Sequence, residues 1–252
     1  MVSFCAVDAL TKKLQSSPML ARVVPFVVFL ALTAAQGQFG EASRYWFYVA
    51  KTVVGAWFVW SIRPFVTEMR WAFSWEAVVV GVGVFAIWVG LDEYYPSLDQ
   101  LMQKYLCPPL KSIGLAGWCP KPPQNELPWN PNLQFGAGSA LAWIVIGVRV
   151  LGSSIVVPPL EEVFYRSFLY RYIIKPDFQT VPLGTFHWPA FLFTAIIFGF
   201  SHHEWLAGIL CGFAYQGLVC WKQRLGDAMT AHAITNFLLG LWVVGKGAWN
   251  FW

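Results

Sequence analysis

About eight apolar stretches recur from near the start of this 252-residue chain to its end. Each is long enough, or nearly so, to cross a bilayer. The hydrocarbon core is about 30 Å thick, so a spanning helix needs about 20 predominantly apolar residues. Inside lipid every backbone N–H and C=O must be satisfied within the segment, which leaves helices as the fold for such runs. The pattern predicts an all-α fold: a polytopic membrane helix bundle of about eight transmembrane helices, with residues 1–252 as a single integral membrane domain. Composition agrees, at 57% hydrophobic and only 12% charged, where a soluble domain carries about 25% charged residues. The net charge of +4 reads as loop orientation rather than as a surface for nucleic acid, and no nucleic-acid partner is expected.

The segments run near Met19–Ala35, Tyr45–Ile62, Ala77–Leu91, Ser139–Val156, Pro159–Ile174, Trp188–His202, Trp205–Trp221 and Met229–Val244. The first follows Lys12 and Lys13 and has the outline of a signal peptide. The further spans favour an uncleaved first helix. Lys51 lies within the second segment and either snorkels or faces the bundle. Residues 92–136 form one long polar insertion, read as an extramembrane loop with a short helix around Ser97 to Leu106. It holds Cys107 and Cys119, a pair compatible with a disulfide if the loop faces an oxidising compartment and equally with two free thiols. No CxxC or Cys/His metal spacing occurs. Lys12, Lys13, Arg63 and Arg70 favour a cytoplasmic N-terminus, whereas Lys175, Lys222 and Arg224 then fall on the other side.

Against this background, charges inside the apolar segments point to function. Pro158-Pro159-Leu160-Glu161-Glu162-Val163-Phe164-Tyr165-Arg166 brings two carboxylates and a guanidinium together. Pro159 suits a first helical position, which would put both glutamates in a first turn, favoured by the helix dipole. Glu162 and Arg166, four apart, share a face and can pair. Glu161 is left as the free carboxylate. Two further sets occur in the core region 157–245: Phe198 to His202, followed by His203, and His232 to Asn236. His232 and Asn236 share a helical face. Glu161 with His202 could hold and deprotonate a water, and His232 with Asn236 could donate to a developing oxyanion. That arrangement fits peptide-bond hydrolysis without a covalent intermediate.

Each residue also has a plain structural reading. Glu162–Arg166 is most simply an ion pair that holds the bundle, and Glu161 a capping carboxylate. His202 or His232 alone is more often a satisfied interior histidine, and His203 an interfacial one. A zinc reading would use Glu161, His202 and His232, although no HExxH is present. The expectation is that no metal and no cofactor is needed.

EExxxR, FxxxH and HxxxN, on successive hydrophobic segments in that order, resemble the CAAX protease and bacteriocin-processing enzyme family, also called Rce1-like or ABI. The match rests on Glu161, Glu162 and Arg166, on Phe198 and His202, and on His232 and Asn236. The resemblance implies an intramembrane glutamate-type endopeptidase: Glu161 and His202 activate the water, His232 and Asn236 form the oxyanion hole, and Glu162 and Arg166 support them; His203 is a further candidate supporting residue. Departures are the extra His203 beside the family histidine and the long cysteine-bearing insertion. The front half, Arg63 to Tyr95, resembles a bacterial CAAX prenyl protease-related subgroup that accompanies exosortase systems. This implies a multi-pass protein of the bacterial inner membrane. It also implies membrane-associated protein or peptide substrates, and exosortase or exopolysaccharide system components as partners. The alternatives are a non-catalytic membrane scaffold or immunity-type protein, and a zinc-dependent protease on the same fold.

Overall fold

The computed structural model describes residues 4–119 and 128–252, and side chains from residue 8 onward. Within these residues the chain is all-α, as the apolar pattern requires. The helices are α1 Phe4–Ser16, α2 Pro18–Ala34, α3 Ser43–Ile62, α4 Trp75–Leu91, α5 98–112, α6 Ala140–Ile174, α7 Trp188–Phe200, α8 Trp205–Lys222 and α9 Gly226–Lys246. Trp75–Ser112, α6 and α9 are long and apolar enough to cross a membrane, and α2 and α7 are shorter apolar helices. The chain is an integral membrane protein.

Local chemistry explains most boundaries. Ser17, Ser74 and Ser139 each accept a backbone N–H in the first turn of α2, α4 and α6, from Leu20, Ala77 and Ala142. They satisfy a donor that a helix start would otherwise orphan. His187 does the same for α7, where its Nδ1 accepts from the Ala190 N–H. Gly247 ends α9 in the left-handed region, φ 67°, which costs glycine nothing.

Two expectations about segments change. The segments near Ser139–Val156 and Pro159–Ile174 are one helix, α6, of 35 residues. Pro159 therefore does not open a helix, and Glu161 and Glu162 are interior residues rather than first-turn ones. A proline inside a helix removes a hydrogen bond and clashes with the carbonyl four residues back. Here the backbone widens just before the pair: residues 152–156 are π-helical, with the Val157 N–H bonded to the Gly152 carbonyl. A second π-helical stretch, 163–169, follows the glutamates. Such widened turns concentrate at functional sites.

The insertion contains helix α5, opened by a reciprocal cap between Ser97 and Gln100. Residues 120–127 of the proposed loop lie outside the described residues. Past them the chain returns to the bundle, where Trp129 is buried against Tyr45 and Tyr48. Cys107 and Cys119 are free thiols, with the Cys119 Sγ 3.9 Å from the Cys107 carbonyl oxygen.

Four features place the site within the bundle. Helix α6 is roughly 52 Å long at about 1.5 Å per residue, and Glu161 lies well inside it. Helix α7 has 13 residues, roughly 20 Å of rise. It ends level with the interior of α6, where Ser201 accepts from the Tyr165 hydroxyl. Helices α7 and α8 then touch backbone to backbone: a Cβ on Gly208 would lie 2.8 Å from the Gly199 Cα. Helix α9 closes the cluster against α4, where a Cβ on Gly81 would lie 2.6 Å from the Ala231 carbonyl oxygen.

Candidate active site

The three motif-bearing stretches converge. Glu162 is fully buried and its Oε1 accepts two hydrogen bonds. One comes from Arg166 Nη1 at 3.2 Å, the other from His232 Nδ1 at 2.9 Å. The expected Glu162–Arg166 pair is thus present one turn apart on α6, and it also holds a histidine 70 residues away. Because the carboxylate can only accept, His232 carries its proton on Nδ1. Its Nε2 faces outward, 4.0 Å from Glu161 Oε2.

The His232 ring is fixed from the other side as well. Tyr215 stacks on it with centroids 5.2 Å apart. The Tyr215 hydroxyl donates to Thr235 Oγ1 at 2.7 Å, and Thr235 donates to the Gly81 carbonyl at 2.8 Å. Arg166 lies over the Phe198 ring, 4.3 Å from its centroid. A cation on an aromatic face recovers part of the cost of burying the guanidinium.

His202 occupies the turn after α7. Its Nδ1 donates to the Phe198 carbonyl at 2.7 Å, which leaves Nε2 for the cavity. Its ring packs on Phe198 at 4.6 Å and on the edge of Trp88 at 5.5 Å. Ser201 beside it donates to the same carbonyl and accepts from the Tyr165 hydroxyl at 3.1 Å. This chain of contacts fixes the turn to α6. Asn236 donates through Nδ2 to the Ser153 carbonyl at 2.8 Å, in the π-helical stretch before the prolines. A second N–H of that amide remains.

Glu161, His202, His203, His232 and Asn236 all line one cavity of about 480 Å³. Glu162 and Arg166 stand behind it. Four buried polar atoms of the cluster lack a hydrogen-bond partner: Glu161 Oε2, Glu162 Oε2, and Arg166 Nε and Nη2. Native interiors leave few such atoms, and here they collect at one point. Among the described residues no three His, Cys, Asp or Glu side chains are grouped so that they could hold a metal ion.

Other residues had no sequence signal. Tyr215 and Tyr165 read as ordinary aromatic positions in apolar helices. Lys51, anticipated as snorkelling or bundle-facing, faces the bundle: it is buried and lines the same cavity. Arg149 lines it too. Glu68 in the loop 63–74 accepts from Arg22 at 2.6 Å, from Arg171 at 3.2 Å and from the Ser167 hydroxyl. This clamp fixes α6 to α2, and only its position in space reveals it.

Residues 128–238 match the family model described as type II CAAX prenyl endopeptidase Rce1-like. Over these residues the chain is similar to the Rce1-like family. All the motif residues fall inside the matched stretch. No curated protein and no solved structure matches the chain.

Proposed function

We propose that this Rce1-like protein hydrolyses peptide bonds with a water activated by Glu161, with no covalent intermediate. The observation that carries the reading is the unpartnered Glu161 Oε2, 4.0 Å from His232 Nε2, in a cavity also lined by His202 and Asn236. A water between the two would be held by both. Glu161 takes its proton as the water oxygen bonds to the substrate carbonyl carbon. The same proton then passes to the leaving nitrogen as the C–N bond breaks. The free Nε2 of His202 helps to hold the water. The second Nδ2–H of Asn236 donates to the oxyanion. His232, held at Nδ1 by Glu162, adds a second donor at Nε2 when that nitrogen carries a proton. Glu162 and Arg166 position His232, and His203 borders the cavity.

The substrates in this reading are membrane-associated proteins or peptides, met in the bilayer of a bacterial inner membrane. The resemblance of Arg63 to Tyr95 adds components of exosortase or exopolysaccharide systems as a source of cargo. The test is cleavage of candidate membrane proteins by purified wild type, Glu161→Gln and Glu162→Gln, with and without chelator, each checked for folding. Chelator-resistant activity that Glu161→Gln abolishes in a folded protein supports the reading. Normal cleavage by Glu161→Gln overturns it. Chelator-sensitive activity restored by zinc would replace it with the metal-dependent mechanism. A folded wild type that binds candidate substrates and cleaves none would favour the scaffold.

A further inference from the structure

The fold gathers basic residues at one end of the bundle. Counted as two crossings, the segments near Ser139–Val156 and Pro159–Ile174 put Lys175, Lys222 and Arg224 opposite Lys12, Lys13, Arg63 and Arg70. Helix α6 is one helix, and α7 and α8 form a hairpin that leaves and regains the same end. Both sets therefore share an end. Contacts tie it together. Glu68 in the loop 63–74 holds Arg22 of α2 and Arg171 of α6. The Ala72 carbonyl accepts from Thr230 of α9, and Glu76 pairs with Lys222 of α8 at 3.1 Å. A Cβ on Gly184 would lie 2.6 Å from the Gln223 Cγ, so the loop 175–187 meets the turn between α8 and α9. At the other end Asn250 meets Asp92 at 3.4 Å, the Tyr45 hydroxyl donates to the Asn130 carbonyl at 3.0 Å, and Trp129 packs on Trp252 at 5.6 Å. That end carries fewer basic residues, Arg44, Lys104, Lys111 and Lys246 among the described residues. Lys51, Arg149 and Arg166 lie within the helices between.

The cavity opens toward the less basic end. From Glu161 and His232 it reaches Gln36 just past α2, Arg44 in the first turn of α3, Trp129, and Asn250 and Trp252 beyond α9. Among the described residues none of its lining comes from the loops 63–74, 175–187 or 223–225. The basic end is closed instead, with Ile62, Val66 and Leu225 fully buried there. Lysine and arginine in short loops are kept on the cytoplasmic side, because export moves them against the membrane potential and away from anionic lipid. We propose that the basic end faces the cytoplasm, and that the cavity therefore takes its substrate from the extracytoplasmic side, as protein segments already exported across the bilayer. The substrate half of this proposal rests on the proteolytic reading above; the orientation does not. Cleavage would then follow a translocation step and act on its product. A cytoplasmic segment of the same substrate would meet the closed end and be spared.

The experiment uses full-length wild type in sealed right-side-out and inverted vesicles of a bacterial inner membrane. A sulfonated amine reagent that cannot cross the bilayer is added outside, and modified lysines are identified by mass spectrometry. In right-side-out vesicles Lys111 and Lys246 should react, while Lys13 and Lys175 stay protected until detergent opens the bilayer. Inverted vesicles should give the reverse. Reaction of Lys175 with protection of Lys246 in right-side-out vesicles overturns the orientation, and equal reaction of all of them overturns a single orientation. The opening of the cavity is read with Thr33→Cys, at a position that lines it, and an impermeant thiol reagent. An adduct at that position in right-side-out vesicles alone supports the proposal. An adduct in inverted vesicles alone, or in neither, overturns it. Substrate entry is read from sulfonated, quenched fluorescent peptides added outside the same vesicles. Hydrolysis by the right-side-out form, lost in Glu161→Gln, supports entry from the extracytoplasmic side, and hydrolysis by the inverted form alone overturns it. If no peptide is cleaved even in detergent, the protease reading fails, and the lysine and thiol patterns still decide which way the cavity faces.

Discussion

Helix α6 carries two buried charge clusters on adjacent residues, and they are built in opposite ways. On one side Arg171 and Ser167 meet Arg22 around a single oxygen of Glu68. None of the side-chain atoms of this clamp is a buried orphan among the described residues. On the other side Glu161, Glu162 and Arg166 leave four buried polar atoms without a hydrogen-bond partner. Both clusters bear the desolvation cost of charge in a membrane bundle. The first recovers it within the fold, as a structural element must. The second does not, and its orphans face or flank a cavity. Saturation, more than burial or charge, separates the part of α6 that holds the fold from the part to which we assign the chemistry.

The sharpest way to break this contrast is Glu161→Gln. Loss of a general base removes about 10²–10⁴ of rate, so peptide turnover should fall by at least that range while thermal unfolding hardly moves. A variant that unfolds early but keeps its specific activity would place Glu161 with the structural cluster. Asn236→Ala should cost about 10²–10³ in kcat, the effect of one lost oxyanion donor, read from full progress curves on the same substrate. The opposite pattern belongs to Glu68→Gln. Two guanidinium groups would lose their carboxylate, which costs about 3–5 kcal/mol of stability, visible as a lower midpoint in detergent or denaturant. The kcat of the molecules that remain folded should stay within about threefold. A large fall in kcat without a loss of stability would break the comparison.

The smallest effect is a pH dependence. Burial pushes the Glu68 carboxyl up, but the Arg22 guanidinium and the Ser167 hydroxyl outweigh it and hold it below its ordinary value. A carboxyl with a depressed folded pKa adds stability above its unfolded pKa, about 4.3. That stability is lost as pH falls through the folded value. Wild type should therefore destabilise on the acid side, and Glu68→Gln should show a flatter profile there. Identical acid-side slopes would remove Glu68 from the linkage.

Much of this was legible in the chain. Apolar runs marked α2, α3, α4, α7, α8 and α9 to within a few residues, because lipid imposes one backbone solution on such runs. The four-residue spacing of Glu162 and Arg166 gave their pairing, since that contact is local to one helix. The continuity of α6 was not legible. A proline pair reads as a helix start, and the widened turns that admit it depend on packing against other helices. The role of Glu162 as the partner of His232 was also hidden, as was the Glu68 clamp. Those contacts join positions 46 to 103 residues apart, and no periodicity encodes them. Arg149 lay in an apolar stretch with nothing local to pair with, so only the cavity gave it meaning.

The close contact of α7 and α8 has a consequence for how the site keeps its dimensions. A methyl group on Gly199 would lie 2.3 Å from the Ile209 Cγ1 and 2.7 Å from the Trp205 carbonyl oxygen. Three residues on, His202 hangs from that contact. Its position is gauged by touching atoms as well as by the hydrogen bonds of its turn, so the hairpin has no clearance to give away. The spacer that sets the imidazole is a hydrogen atom, and a methyl group in its place would press α7 and α8 apart beside that edge of the cavity.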